Sequence, residues 1–394
     1  MTVCRSLPSE IVREILSRLP VKSLCRFRCV SKSWLSLILD PHFVKMHFNK
    51  AIESEDVFYQ RRKLLFTNEQ FDAIYSLDLD DFLNRYDDPF LSGLGNYSNV
   101  GVIGDDSDGY VMATTLKLPG ISVSNYFSQN WSLESFCYGL VLFKLDSKLY
   151  VANPAIREYK KLPAPWEELG PEPSSSSGLG FGFDHSTDDF IVVKWWSLKD
   201  GIKFSVYALK TGSWRPIQGR FPYTTGSAFG GTGILLNGGL HWLMKRLEDK
   251  SRVIVSLLLA DNEVREIPLP PDLTDVGDWD YLPLGLFFRE SLCIARTVVE
   301  FVDETTATSN NHFWVMKEYG VGESWTKRKF SYGFAFSLLP SGYWRENHVL
   351  FYSRVSQELG MYNFNDLSCR DVWIPGFPIV TGAGFYVESL VSLD

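Results

Sequence analysis

The sequence predicts a mainly β protein, in which a small α-helical head precedes a β-propeller-like body of six or seven blades. Aromatic residues make up 15% of the 394 residues, and a content this high favours strands as the main material. Apolar residues follow the helical period up to residue 50 and then change to a period of two. A strand–turn–strand pattern also recurs through the body, and repeats of this kind are typical of propeller blades.

The first helix of the head is predicted from its apolar spacing and its flanking prolines. Four apolar residues are spaced to lie on one face: Ile11, Ile15, Leu16 and Leu19. Pro8 suits the first turn, and Pro20 is expected to end the helix because proline cannot continue the hydrogen-bond ladder.

Two further short helices are expected after Pro20. The first covers residues 22–28, and the second covers 31–39 and ends at Asp40-Pro41. The inward-facing residues of the latter are predicted to be Trp34, Leu35 and Ile38. Three helices of this length bury little surface, so the remaining apolar side chains indicate a docking surface.

The proline and tryptophan spacing of the head is demanding over about 40 residues. Leu7-Pro8 precedes the first helix, Leu19-Pro20 follows it, and Lys32-Ser33-Trp34 begins the third. This pattern resembles an F-box, and the resemblance implies docking on the Skp-type adaptor of a cullin-based ubiquitin ligase, with cullin and RING subunits bound through the adaptor. The adaptor-binding or motif-defining positions that it implies are Leu7, Pro8, Ile11, Ile15, Leu16, Leu19, Pro20, Leu24, Val30 and Trp34.

A zinc finger is the rival interpretation of the same segment. Cys25, Cys29, His42 and His47 have the spacing of a Cys-Cys-His-His site. Such a finger needs a hairpin that carries the cysteines, whereas these cysteines lie in a helical pattern and Pro41 interrupts the chain before His42. We therefore expect no metal here and no cofactor.

The body repeats one hairpin, in which the second strand has an aromatic or apolar centre followed by a basic residue. Five copies cover residues 149–162, 204–215, 254–267, 313–327 and 360–371, and an earlier copy covers 65–77. Asn237-Gly238 predicts a further tight turn, since both residues tolerate positive φ. From Glu134 to Leu393 the body resembles the F-box-associated domain of plant F-box proteins, which is often described as kelch-like.

Three regions follow from these patterns: an F-box at 1–50, first propeller strands with an irregular acidic insert at 51–134, and a propeller-like, target-binding domain at 135–394. Two groups of residues are candidates for target binding. Aspartates could form an acidic lip that selects a basic partner, with a solvated loop as the alternative: Asp78, Asp80, Asp81, Asp87 and Asp88. Tryptophans could be exposed anchors, with blade core as the alternative: Trp166, Trp195, Trp279 and Trp344.

Composition limits the function classes further. The first 50 residues carry nine Lys or Arg against three Asp or Glu, whereas the whole chain has a net charge of −8, which argues against a nucleic-acid-binding body. Neither a Gly-x-Ser-x-Gly elbow nor a phosphate-binding loop is found, so we expect no catalysis. Six scattered cysteines and the lack of a signal-peptide or membrane-spanning pattern predict a cytoplasmic or nuclear protein.

Two alternatives to a ligase receptor stay open. An F-box protein can bind the adaptor and act without a cullin. A propeller can also bind a glycan or a small molecule, or act as an enzyme, with an incidental helical head. That alternative requires a polar cluster in the central channel, which the sequence does not reveal.

Overall fold

The computed structural model describes residues 8–68, 73–86, 113–116, 131–165, 176–225, 231–273, 282–287, 291–301, 307–330, 336–345, 348–353, 358–366, 368–372, 374, 377 and 379–393. The helices within these residues are α1 (Ser9–Ser17), α2 (Val21–Phe27), α3 (Lys32–Leu39), α4 (Pro41–Glu53), α5 (Glu55–Arg61) and α6 (Leu79–Tyr86). The strands are β1 (Arg62–Asn68), β2 (Ile74–Asp78), β3 (Thr114–Thr115), β4 (Trp131–Cys137), β5 (Leu140–Leu145), β6 (Lys148–Asn153), β7 (Glu158–Lys161), β8 (Ser177–Asp184), β9 (Asp189–Leu198), β10 (Gly201–Ala208), β11 (Ser213–Pro216), β12 (Tyr223–Thr224), β13 (Thr232–Leu236), β14 (Gly239–Arg246), β15 (Arg252–Leu258), β16 (Val264–Ile267), β17 (Leu284–Phe287), β18 (Ser291–Phe301), β19 (Ala307–Met316), β20 (Trp325–Phe330), β21 (Phe336–Arg345), β22 (His348–Ser353), β23 (Glu358–Asn363), β24 (Ser368–Val372) and β25 (Val380–Val387).

The helical head comprises α1 to α5, two helices more than the sequence predicts. Asp40-Pro41 does end α3, but it also starts α4. The Asp40 side chain accepts hydrogen bonds from the backbone N–H groups of His42 at 2.8 Å and Phe43 at 3.2 Å, and proline is favourable in a first turn. The same two residues are therefore a stop for one helix and a start for the next. Helix α1 also ends earlier than expected, at Ser17.

The described strands form sheets built mainly from pairs of strands that are adjacent in sequence. Strands β4–β7, β17–β20 and β21–β24 each make a four-stranded antiparallel unit. The C-terminal strand β25 pairs with β1 and joins β1, β2 and β3 in a fourth sheet. A nine-stranded sheet contains two further units, β8–β11 and β13–β16, linked by parallel pairing of β8 with β13, while β12 pairs with β14.

The units are arranged around a common centre, as in a propeller. The inner strand of each unit is next to the inner strand of the following unit, in the order β25, β4, β8, β13, β17, β21 and back to β25. Apolar layers fill the space between neighbouring units. One such layer, between the β4–β7 and β8–β11 units, contains Leu142, Val151, Phe181 and Val192.

The five hairpins predicted from the repeat are all present. They are the third and fourth strands of their units, namely β6–β7, β10–β11, β15–β16, β19–β20 and β23–β24. The earlier copy at 65–77 is instead β1–β2, the second and third strands of its unit. The turn between β13 and β14 also matches its prediction, with φ of 49° at Asn237 and 71° at Gly238.

Candidate functional site

Large apolar side chains are exposed on the head. Ile11 and Ile15 of α1 are 47% and 49% exposed, and Val30, after α2, is 62% exposed. The prolines that precede α1 and α2, Pro8 and Pro20, are exposed as well. Single exposed apolar residues are ordinary, but several within one short segment indicate a docking surface. We call Pro8, Ile11, Ile15, Pro20 and Val30 the apolar head surface.

Other residues of the head that were expected to bind the adaptor lie inside it. Leu16 and Leu24 are buried in the head core with Ile38 and Phe43, so a partner cannot touch them. Helix α1 explains the difference, because Ile15 and Leu16 are neighbours that point about 100° apart. Three further candidates complete the set: Leu19 and Trp34 are half-buried, and Leu7 lies outside the described residues.

Helix α3 adds exposed apolar residues that the sequence interpretation missed. Leu35 was expected to face inward, but it is exposed, and so is Leu39, at 54%. The residue of this helix that faces inward is Ile38. Trp34 is half-buried and packs on the ring of Phe27, with ring centres 5.3 Å apart. The spacing of four between Leu35 and Leu39 was the available signal for a second apolar face.

A buried polar cluster fixes α1 and α4 to the end of α5. Arg61 donates hydrogen bonds to the backbone oxygens of Ser17 at 2.6 Å and His47 at 2.7 Å. His47 Nε2 donates to the backbone oxygen of Leu19 at 2.9 Å, and its Nδ1 accepts from Arg61 at 3.2 Å. Desolvation, with the Arg61 charge nearby, lowers the pKa of His47 to about 3, so the ring is neutral at physiological pH.

The head is docked on one end of the β4–β7 and β8–β11 units, which we call the head end. The Phe48 ring packs on Tyr138, in the β4–β5 turn, with ring centres 4.8 Å apart. Lys45 forms an ion pair at 3.0 Å with Asp188, in the β8–β9 turn. Leu390, after β25, is buried in the head core. The other end of these units, where β5 and β9 finish, is the far end.

The C-terminal tail strengthens this joint. The side-chain amide of Asn153 donates to the backbone oxygens of Ser389 at 3.0 Å and Val391 at 2.8 Å, and its oxygen accepts from the Ala155 N–H at 3.0 Å. Buried polar groups that are satisfied in this way hold one geometry. The head therefore has a fixed orientation on the propeller.

The acidic candidates lie near the head, and two are neutralised within the chain. Asp78 forms an ion pair with Lys63, and Asp80 forms one with Arg62 at 3.2 Å. Helix α6 follows β2 directly, and β2 runs antiparallel to β1, so these residues lie at the end where β1 begins, beside α5. Asp81 is exposed, whereas Asp87 and Asp88 lie outside the described residues. Paired carboxylates offer little attraction to a basic target, so Asp78 and Asp80 do not form an open acidic lip.

The tryptophan candidates do not form an exposed group. Trp195 is 1% exposed and belongs to the core between the β8–β11 and β13–β16 units, so it cannot contact a target. Trp344 lies in β21 opposite Val349, with its side chain outside the described part of the structure. Trp166 and Trp279 are likewise outside it.

The titratable side chains that could suggest metal chemistry are dispersed. In the part of the chain that the structure describes, no three His, Cys, Asp or Glu side chains gather as a metal site would require. His241 is buried, with Nδ1 2.9 Å from the Ile234 oxygen and Nε2 2.6 Å from the Tyr319 hydroxyl, and desolvation lowers its pKa to about 4. None of the described helices is long and apolar enough to cross a membrane.

Comparisons with known proteins agree with this arrangement. Residues 5–46 match the F-box domain, and residues 108–349 match the F-box associated beta propeller domain. An F-box/kelch-repeat protein of Arabidopsis thaliana is 28% identical over 329 residues, which cover 82% of this chain and 78% of the relative. The F-box protein CPR1 of Arabidopsis thaliana is 26% identical over 347 residues, covering 82% and 72%.

Similarity to solved structures is weak. A chain from the crystal structure of a nidogen/laminin complex is 11% identical with a TM-score of 0.45, covering 83% of this chain and 99% of that one, and a score this low supports no inference. The propeller-domain match alone spans more than half of the chain, and the F-box match adds the head. The chain therefore belongs to the plant F-box proteins that carry a C-terminal F-box-associated domain.

Proposed function

We propose that this chain is the target-recognition subunit of a Skp–cullin–F-box ubiquitin ligase. An F-box indicates binding to a Skp-type adaptor, and proteins that combine it with an F-box-associated propeller are typically non-catalytic receptors. One observation carries the proposal: the apolar head surface, with Ile11, Ile15 and Val30 exposed, belongs to a head that is fixed to one end of the propeller. Burial of these side chains on an adaptor would supply the binding energy.

The contribution of such a receptor is proximity. A target bound to the propeller has a high effective concentration at the ubiquitin thioester held by another subunit. The far end is the natural target surface because the head covers the opposite end of two units. The joint built on Arg61, His47 and Asn153 would hold the target at a constant distance from the adaptor.

We also propose that the body is a six-bladed propeller and that the protein works in the cytoplasm or nucleus. The six four-stranded units and the closed order of their inner strands support a six-bladed propeller, closed by the pairing of β25 with β1. A protein that acts with this ligase would work in the cytoplasm or nucleus, which is compatible with free cysteines at Cys25, Cys29, Cys137, Cys293 and Cys369.

Titration of the full chain with a plant Skp-type adaptor tests the proposal. The variant Ile11→Asp/Ile15→Asp places two carboxylates in the apolar head surface. Its affinity should fall at least about 30-fold, because an unpaired charge would be desolvated in the complex.

Ile52→Asp is the matched control, since Ile52 of α4 is also exposed, at 42%, but lies outside the apolar head surface. It should bind like the unmodified chain. Equal affinity of all three proteins, or failure of the unmodified chain to bind, would rule out this docking surface.

A further inference from the structure

The core of the helical head includes a residue of the C-terminal tail, which we define as residues 388–393. The tail follows β25 directly and is neither strand nor helix. Its Leu390 is 2% exposed and lies in the head core with Leu16, Leu24 and Phe43. A side chain buried against α1, α2 and α4 stabilises them as a residue of the head itself would. The head core is therefore completed by a residue that the propeller supplies.

The other apolar residues of the tail pack on the propeller. Leu393 is 8% exposed and lies in the apolar layer between the β4–β7 and β8–β11 units, and Val391 packs against the same layer. Glu158, at the start of β7, accepts hydrogen bonds from the Leu393 N–H at 3.0 Å and from the Ser392 hydroxyl at 2.8 Å. The tail is therefore held between the head and the propeller, with an apolar side chain in each core.

The tail also extends the pairing between β25 and β1. The backbone N–H of Glu388 donates to the Arg61 oxygen at 2.9 Å, one residue beyond the β1–β25 ladder. The Arg61 side chain in turn donates to the backbone oxygens of Ser17 in α1 and His47 in α4. A displacement of β25 would therefore reach the head through Arg61 as well as through Leu390.

Dense packing determines where the tail lies. Ser389 is fully buried, and a Cβ at Gly139, in the β4–β5 turn, would collide with its side chain. The hydrogen bonds from the Asn153 amide to the Ser389 and Val391 oxygens hold the backbone on both sides of Leu390. Packing of this density transmits a shift instead of absorbing it. Leu390 therefore keeps its place in the head core only while the tail keeps its place on the propeller.

We propose that the tail makes adaptor binding conditional on a closed propeller. While β25 pairs with β1, Leu390 completes the head core, and the head presents the apolar head surface. When β25 is displaced, the tail moves with it and the small head loses part of its core, so the fraction of chains that can bind the adaptor falls. The proposal rests on the proposed function, since adaptor binding is the property that it regulates. A receptor of this kind joins the ligase only when its target-binding body is assembled.

Hydrogen exchange of the full-length chain, followed by mass spectrometry, tests the contribution of Leu390. In Leu390→Ala, the amides of α1, α2 and α4 should exchange at least about tenfold faster, because the lost side chain leaves a cavity in the head core. Leu393→Ala is the matched control, since it removes the same side chain from the same tail but from the propeller layer. Its head amides should exchange less than about threefold faster. Leu390→Met keeps the volume and should preserve slow exchange.

Two glycine substitutions test the dependence on closure. A Cβ at Gly384 of β25 would collide with the Phe136 ring of β4, and a Cβ at Gly360 of β23 would collide with the Phe351 ring of β22. Gly384→Val should displace β25 and lower the adaptor affinity at least about tenfold. Gly360→Val strains a unit that does not carry the tail, so its affinity should stay within about threefold. The amides of β9 and β10 should stay protected in both variants.

Adaptor titration of the unmodified chain separates the two hypotheses. If the unmodified chain binds the adaptor, unchanged head exchange in Leu390→Ala or equal losses of affinity in the two glycine variants would overturn the role of the tail, and the receptor function would stand. If the unmodified chain does not bind the adaptor, the receptor function is wrong whatever the exchange rates are.

Discussion

At the scale of single residues, burial decides which apolar side chain meets a partner. Ile15 and Leu16 are adjacent in a motif that implies both as docking positions, yet Ile15 is exposed and Leu16 is in the head core. Apolar spacing identifies a helix but does not say which of two apolar stripes faces inward. That choice is made by α4, which the sequence analysis did not predict and which supplies Phe43 to the head core.

His47 predicts a pH dependence of stability. Its folded pKa of about 3 is below the ordinary value of 6.5, so as pH falls below 6.5 the unfolded chain takes up a proton that the folded chain excludes. The stabilisation is complete above pH 6.5 and is lost as pH falls, by about 1.4 kcal/mol per pH unit. Urea unfolding at pH 7 and pH 5 should show a smaller difference for His47→Gln than for the unmodified chain.

His42→Gln is the control for this measurement, because His42 is exposed in the first turn of α4. The free energy of unfolding of this variant should differ between pH 7 and pH 5 by the same amount as in the unmodified chain. The same pH difference in His47→Gln as in His42→Gln would show that His47 is not held neutral by its burial.

At the scale of elements, the hairpins of the body were predicted from turn residues and alternating apolar residues close together in the sequence. The five repeated hairpins were predictable because the turn and the alternation of each one lie within about 15 residues of sequence. Helices α4 and α5 were missed for the opposite reason. The sequence pattern presents Pro41 only as the end of a helix, whereas the Asp40 side chain also makes it the start of one. Helix α4 gains its stability by packing against α1 and α3.

The β13–β14 turn offers a test at this scale. Gly238 has φ of 71° with open space around its Cα, so Gly238→Ala suffers from backbone strain alone. Its cost in unfolding free energy should be about 1 kcal/mol.

Gly231→Ala is the matched variant, because Gly231 also has open space but no positive φ. Thermal unfolding should show it to be neutral or slightly stabilised. Equal destabilisation of both variants would mean that the conformation of the Asn237-Gly238 turn is not what requires glycine.

At the scale of the whole molecule, features within one segment and features that join distant segments were predictable to different degrees. The apolar head surface comes from one short segment, so its motif is visible in the sequence. The joint between the head and the propeller is not visible, since Lys45 and Asp188 pair only when the head docks on the β8–β9 turn. Likewise, the pairing of Asp78 with Lys63 and of Asp80 with Arg62 depends on β1 lying beside β2.

Reconstitution with purified plant Skp-type adaptor, cullin and RING subunits, followed by size-exclusion chromatography, tests the central claim most directly. The account predicts that the full chain elutes in one complex with all three partners, and that Ile11→Asp/Ile15→Asp elutes alone while Ile52→Asp joins the complex. A chain that elutes with the adaptor but never with the cullin would contradict the ligase role and support an F-box protein that acts without a cullin. A chain that elutes alone would leave a ligand-binding propeller as the remaining interpretation.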